Sequence, residues 1–352
     1  MSPISSPEGQ TPPESPTAPE GSPGGRPEGR PPLIVLAGAT ATGKTALSLA
    51  LAEALAGRGI GAEIISADSR QVYRGMDIGT AKVTAEQRAR VPHHGLDLVD
   101  PDQPFSVADF AACASAALLG IAERGSVAIL AGGTGFYLRA VARGLAVEDL
   151  PWDPDVRTAV ETSLTVDGLP ALVEELRRLA PTRAAAIDLQ NPRRVVRAVE
   201  IARLRGDAPL PEPRGYGRAV LWLGLAVDSQ TLRERIHARA RAQFEAGLVE
   251  ETRAFAARYS PSTPSFSGIG YAEALAVIEG RLTVEQAIAE DARRNVLFAR
   301  RQATWFRREP EIRWLEGTRE LPVTEAFSGT IDYLAGLQPA SKSTAVARSK
   351  KS

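Results

Sequence analysis

The octapeptide GATATGKT, Gly38 to Thr45, constrains this chain more than any other feature. It follows the apolar run LIVLA and precedes the helical pattern ALSLALAEALA, so a glycine loop joins a strand to a helix. Such a loop turns successive N–H groups into one concavity, and the N-terminus of the helix adds partial positive charge; together they hold phosphate. Gly38 and Gly43 are expected at positive φ, which a residue without Cβ adopts freely. Lys44 supplies a mobile full charge and Thr45 a hydroxyl suited to Mg²⁺. The expected phosphate contacts are Gly38, Thr40, Ala41, Thr42, Gly43, Lys44 and Thr45. The loop alone does not say which phosphate it holds.

A strand-loop-helix start predicts an α/β fold, and the rest of the pattern agrees. Strand-like runs recur at LIVLAG, AEIISAD, SVAILAG and VLWLGLAV with helical text between them, as in a P-loop NTPase-like parallel sheet with helices on both faces. Ligands gather outside the carboxyl ends of such strands, so the loop, Asp68 and Thr134 should face one cleft. Strand signals vanish between about 145 and 207, which predicts a helical insertion domain. The catalytic core then comprises 32–144 and 208–320. Thr283 and Gln286 predict a capping box opening a long helix. Residues 1–31, rich in Pro, Gly and Ser, and the basic stretch 338–352 have no apolar periodicity and are expected to be disordered tails.

Composition narrows the classes of function. The formal net charge is zero, so binding to a nucleic acid needs local patches. No run of apolar residues is long enough to span a bilayer and no signal-peptide pattern is present, which predicts a soluble cytoplasmic chain without membrane contact. The single cysteine, Cys113, excludes an internal disulfide and is expected to be buried in its helix. His93 and His94 lack a third ligand at metal spacing, and are expected to orient a loop. No apolar stripe is left over for self-association, so a monomer is expected.

Two patterns carry chemistry. The run SVAILAGGTG lacks the acid that usually ends a strand beside an ATPase loop. Asp68, in ISADSRQVYRGMDIGTAK, is the acid at a strand end; it can act as a base toward an acceptor or support Mg²⁺, and it can also simply cap the following turn. Arginines cluster three times: Arg193, Arg194, Arg197, Arg203 and Arg205; Arg233, Arg235, Arg239 and Arg241; and the pairs Arg293/Arg294, Arg300/Arg301 and Arg307/Arg308, seven residues apart, beside Trp305 and Phe306. Seven residues is two helical turns, so the last set should form one stripe. Each cluster taken singly fits a solvated face; three in a neutral chain fit a polyanionic partner.

In order along the chain, GATATGKT, ADSRQVYRGMDIGTAK, HHGLDLVDP, FSVADF, GGTGFYLRA, NPRRVVRAVE, GIGYAEAL and RRQATWFR resemble the bacterial tRNA dimethylallyltransferases, or tRNA isopentenyltransferases, over about residues 33 to 316. The resemblance implies transfer of a dimethylallyl group from dimethylallyl diphosphate to N6 of the adenosine 3′-adjacent to the anticodon. It implies that the loop holds the diphosphate leaving group, with Mg²⁺ at Thr45, and that Arg239, with Arg235 as a second candidate, contacts it. Asp68 then takes the N6 proton. The anticodon stem-loop of tRNA would meet Asp68, Ser69, Arg70, Gln71 and Thr134, the segment Arg193, Arg194, Val195, Val196 and Arg197, and the segment Ser267, Gly268, Ile269, Gly270, Tyr271 and Ala272. Ala39, Thr42, Gly268 and Ala272 depart from residues frequent in the family. Three readings keep part of the pattern: transfer to AMP or ATP, a P-loop small-molecule kinase, and a non-catalytic RNA-binding protein. None of them uses all three arginine clusters together with Lys44 and Asp68.

Overall fold

The computed structural model describes residues 29–337. The expected tails fall outside them, apart from positions 29–31. Six parallel strands form one sheet: β1 (Leu33–Ala37), β2 (Ala62–Ser66), β3 (His93–His94), β4 (Val127–Gly132), β5 (Val220–Ala226) and β6 (Arg313–Glu316), in the order β3-β2-β4-β1-β5-β6. The helices, in chain order, are α1 (Lys44–Ala56), α2 (Ala85–Arg90), α3 (Val107–Glu123), α4 (Gly135–Ala142), α5 (Pro154–Val166), α6 (Gly168–Leu179), α7 (Pro181–Ala186), α8 (Pro192–Arg205), α9 (Ser229–Glu245), α10 (Leu248–Ala256), α11 (Tyr271–Ile278), α12 (Val284–Phe306) and α13 (Val323–Leu337). No helix among the described residues is long and apolar enough to cross a membrane.

β1 shows why the sheet is covered twice. All five of its residues are buried. Leu33, Val35 and Ala37 pack with Phe110 of α3, Tyr137 and Leu138 of α4 and Phe306 of α12, whereas Ile34 and Leu36 pack with Leu47, Leu51 and Leu55 of α1. Alternate side chains thus serve opposite faces, which a central parallel strand requires. Each fully buried Leu or Ile contributes roughly 1.5–3 kcal/mol. α1 follows β1 on one face and α4 follows β4 on the other, so a crevice opens between neighbouring strands at their carboxyl ends.

Two short strands carry too little pattern to be expected. β3 is the pair His93–His94: His94 Nε2 lies 2.8 Å from Glu63 Oε2 and His93 Nδ1 2.7 Å from Val91 O. The histidines therefore extend the sheet edge. Cys113, expected to be buried, is exposed on α3, because Phe110, Ala114, Leu118 and Ile121 form that helix's buried face.

Helices α5 to α8 pack round a core of their own, with Val160, Leu172, Leu176 and Val199 each at most 1% exposed. Asn191 caps α8 through the amides of Arg193 and Arg194. Val195 and Val196, expected to meet RNA, belong to that core at 0% and 3% exposure; they alternate in role with Arg193 and Arg194, which are exposed. Arg197 and Arg157 both reach the fully buried Glu200, and Arg203 pairs with Glu175. Part of this arginine cluster is therefore structural.

Candidate active site

At the carboxyl end of β1 the chain turns through the loop before entering α1. Ala41, with φ 62, and Gly43, with φ 100, take the left-handed conformation. Gly38, like Gly43 expected at positive φ, has φ 159. What demands glycine at 38 is space: a Cβ would lie 3.0 Å from Leu225 O and 3.1 Å from Thr42 Oγ1. Thr42 Oγ1 donates to Ala39 O at 2.9 Å, and Lys44 Nζ donates to the same oxygen at 2.6 Å. The amide of Thr40 donates to Gln302 Oε1 of α12 at 2.8 Å, so this N–H, expected to face phosphate, is already paired within the protein.

The loop's cations divide into an anchor and a candidate contact. Arg235 donates to Thr42 O, Gly317 O and Thr318 O at 2.8–3.2 Å, so it buttresses the loop from behind. One turn further along α9, Arg239 donates to Asn295 Oδ1 at 3.2 Å, and its enclosed Nε has no partner among the described residues. Burial pushes its guanidinium pKa down, while Asp291 and Asp68 pull it up. Burial likewise lowers Lys44 to about 8, with the Asp68 carboxylate opposing and Arg239 reinforcing the shift. Two cations forced together with few partners favour an anion between them.

Asp68 stands beyond β2. Its Oδ1 accepts from the Arg70 amide at 2.8 Å, so it does cap the turn; among the described residues Oδ2 has no partner of this kind. The turn lies across the end of β4: Ala67 N–H donates to Ala131 O and Thr134 N–H to Ala67 O, and Ser69 N–H donates to Thr134 Oγ1 at 3.1 Å. A Cβ on Gly132 would come within 2.1 Å of Ala67 O, which explains the glycine. Lys44, Arg239, Asp68, Ser69 and Thr134 are thereby gathered at the carboxyl ends of β1, β2 and β4. Thr45 is exposed on the first turn of α1.

Other expected contacts have internal duties. Gln71 accepts from Ser66 Oγ at 2.7 Å and donates to Thr80 O at 3.1 Å. Arg70 reaches Pro264 O and Ser267 Oγ only at 3.5 Å. Gly268, Gly270 and Tyr271 are buried; the Tyr271 hydroxyl donates to Glu251 Oε1 at 2.6 Å, and that carboxylate also accepts the amides of Asp77, Ile78 and Gly79. In this segment Ser267 is the exposed residue, with Ile269 and Ala272 half-buried. The arginine stripe also splits. Arg294 is committed to Glu273 and Arg293 to Glu290, and α12 ends before Arg307, whereas Arg300 and Arg301 remain exposed. Asp291, Asn295 and Gln302 lie on the buried face of α12 with Ala292 and Ala299. These three polar residues went unrecognised in the sequence, although polar side chains at helical spacing on an alanine-lined face are a usable signal.

The arrangement defines a P-loop protein in which two buried cations, Lys44 and Arg239, face a carboxylate-bearing turn on the neighbouring strands. Comparison with known proteins narrows that class. The family model described as IPP transferase matches residues 71–309. A tRNA dimethylallyltransferase of Anaeromyxobacter dehalogenans is 47% identical over 80% of this chain and 94% of its own. That of Thermus thermophilus is 42% identical over 85% and 96%. The solved full-length tRNA isopentenylpyrophosphate transferase of Bacillus halodurans superposes with a TM-score of 0.63 at 37% identity, covering 87% of this chain and 96% of that one. The chain belongs to the IPP transferase family.

Proposed function

We infer that the chain is a tRNA dimethylallyltransferase, which moves a dimethylallyl group from dimethylallyl diphosphate to N6 of the adenosine 3′-adjacent to the anticodon and releases diphosphate. The observation that carries this reading is the meeting of Lys44 and Arg239 with Asp68 at the carboxyl end of the sheet, in a chain 47% identical over 291 residues to a tRNA dimethylallyltransferase. An acceptor tRNA fits a cytoplasmic enzyme.

The chemistry follows from where charge moves. As the allylic C–O bond breaks, negative charge gathers on the departing diphosphate. Lys44, Arg239 and the amides at the start of α1 are positioned to receive it, so they stabilise the transition state more than the ground state. N6 attacks the allylic carbon and loses a proton as its new bond forms; Asp68 accepts that proton. Ser69 and Thr134, tied to one another beside Asp68, border the base. A loop adenosine is poorly stacked, so extruding it into the crevice costs only a few kcal/mol. Arg193, Arg194, Arg300, Arg301 and Ser267 are exposed and available to the RNA backbone.

Mg²⁺ fits the residues present. Thr45 offers an exposed hydroxyl, and among the described residues no cluster of three acidic, histidine or cysteine side chains forms a protein cage. An ion that keeps several waters and takes other oxygens from substrate phosphates needs no such cage. Thr45 would hold the ion, which would supply positive charge opposite the leaving diphosphate.

The test is incubation of the purified chain with Mg²⁺, dimethylallyl diphosphate and either unmodified tRNA or AMP, followed by mass spectrometry. A five-carbon addition to tRNA alone is expected. Addition to AMP alone overturns the acceptor, and addition to neither overturns the reading.

A further inference from the structure

One buried side chain connects the two halves of this site. Gln302 is 7% exposed. Its Oε1 accepts the Thr40 amide of the phosphate loop at 2.8 Å, and its Nε2 donates to Gly133 O at 2.8 Å, one residue before Thr134. Only this orientation of the amide satisfies both partners, since a flipped group would set donor against donor and acceptor against acceptor. The fit is close: a Cβ added at Gly133 would fall 2.3 Å from Nε2. Thr134 in turn accepts the Ser69 amide, beside Asp68. A single chain of contacts therefore runs from the loop through Gln302 to the turn that bears the base.

We propose that Gln302 is a positioning residue that sets the separation between the diphosphate cradle and the acceptor turn. This rests on the two-substrate transfer inferred above. The two halves sit on different strands, β1 on one side and β2 with β4 on the other, and each ends in a loop with its own freedom. Group transfer needs the attacking nitrogen and the allylic carbon held near contact, and a displacement of about 1 Å costs on the order of 100-fold in rate. Gln302 comes from a third element. Asn295, two turns earlier on the same buried face of α12, holds Arg239, so one helix braces both the loop and the arginine beside it. Thr40 is also withdrawn from the ligand by this bond. Gln302 touches neither substrate and contributes only geometry.

The geometry separates kcat from KM. Each substrate still finds its own half-site without Gln302, while their mutual alignment is lost. The experiment compares the full-length parent with Gln302→Met, which keeps length but has neither polar group, and Gln302→Glu, which keeps the acceptor for Thr40. Steady-state kinetics for both substrates and thermal unfolding are measured on each. For Gln302→Met, kcat is expected to fall on the order of 100-fold with both KM values within about threefold of the parent. Gln302→Glu is expected to recover rate relative to the parent as pH is lowered, because its protonated carboxyl again donates to Gly133 O. If the methionine variant does not fold, the glutamate variant decides. The proposal is overturned if the folded methionine variant, or the glutamate variant at neutral pH, keeps kcat within about threefold of the parent, or if the KM for dimethylallyl diphosphate rises while kcat holds. A parent that transfers nothing to tRNA overturns the underlying function, and is recognised before any variant is compared.

Discussion

Lys44 holds a charge the fold resists, and replacing it with methionine separates its stability effect from its chemistry. The fall from 10.5 to about 8 is equivalent to ~3 kcal/mol of preference against the charged form. Because the side chain is only half-buried, solvent screening reduces this to about 1–2 kcal/mol. A lysine whose folded pKa is lowered destabilises the native state fully below about pH 8. The penalty is relieved as pH rises from about 8 toward 10.5, where the unfolded chain binds the extra proton. Relative to Lys44→Met, the parent should therefore gain about 1–2 kcal/mol of unfolding free energy between pH 7 and pH 10. The bond from Nζ to Ala39 O shifts the comparison by a constant and does not alter its slope. The assay is denaturant unfolding of both proteins across that range, with transfer activity measured at pH 7.5. Activity should fall at least on the order of 10³-fold, because the cation faces the developing charge. A parent-to-variant difference that stays flat from pH 7 to 10 would refute the claim that the loop strains this charge.

Asp68→Asn should lower kcat by roughly 10²–10⁴-fold, the worth of a positioned base, while tRNA affinity measured by filter binding changes little; equal losses in both would make Asp68 an RNA anchor. Arg300→Ala with Arg301→Ala should weaken tRNA binding and reduce the slope of log affinity against log salt by about 1–2, and an unchanged slope would return this face to solvent. Asp291, 1% exposed, is raised to about 6 chiefly by burial. The parent should therefore lose about 3 kcal/mol of stability relative to Asp291→Asn as pH rises from about 4 to about 6, and parallel unfolding curves would contradict it.

Much of the architecture was legible because its signals are local. The four long strands are apolar runs buried on both sides, and Thr283 with Gln286 does form the box that opens α12. The loop was legible for the same reason, being one contiguous peptide. β3 and β6 were not, since two histidines and the four residues Arg313–Glu316 carry no apolar run, and partners distant in sequence decide their pairing. The division of labour among the arginines was also hidden. Arg235 and Arg239 are one turn apart and chemically identical, yet Gly317 and Thr318 claim the first while Nε of the second has no partner among the described residues. Val195 and Tyr271 show the converse: a segment can align with an RNA-contacting motif while half of its side chains build the core beneath. Gln302 was hidden because its partners, Thr40 and Gly133, lie 262 and 169 residues away.

The most direct test of the central claim is to map the product. Transfer is run to a single turnover with one tRNA, released diphosphate is counted against modified nucleoside, and nuclease digestion locates the added group. One diphosphate per N6-dimethylallyladenosine, at the position 3′-adjacent to the anticodon, is the predicted result. Diphosphate released without a modified adenosine, or a group attached elsewhere, would contradict a site in which the loop and Asp68 act on the same bond exchange.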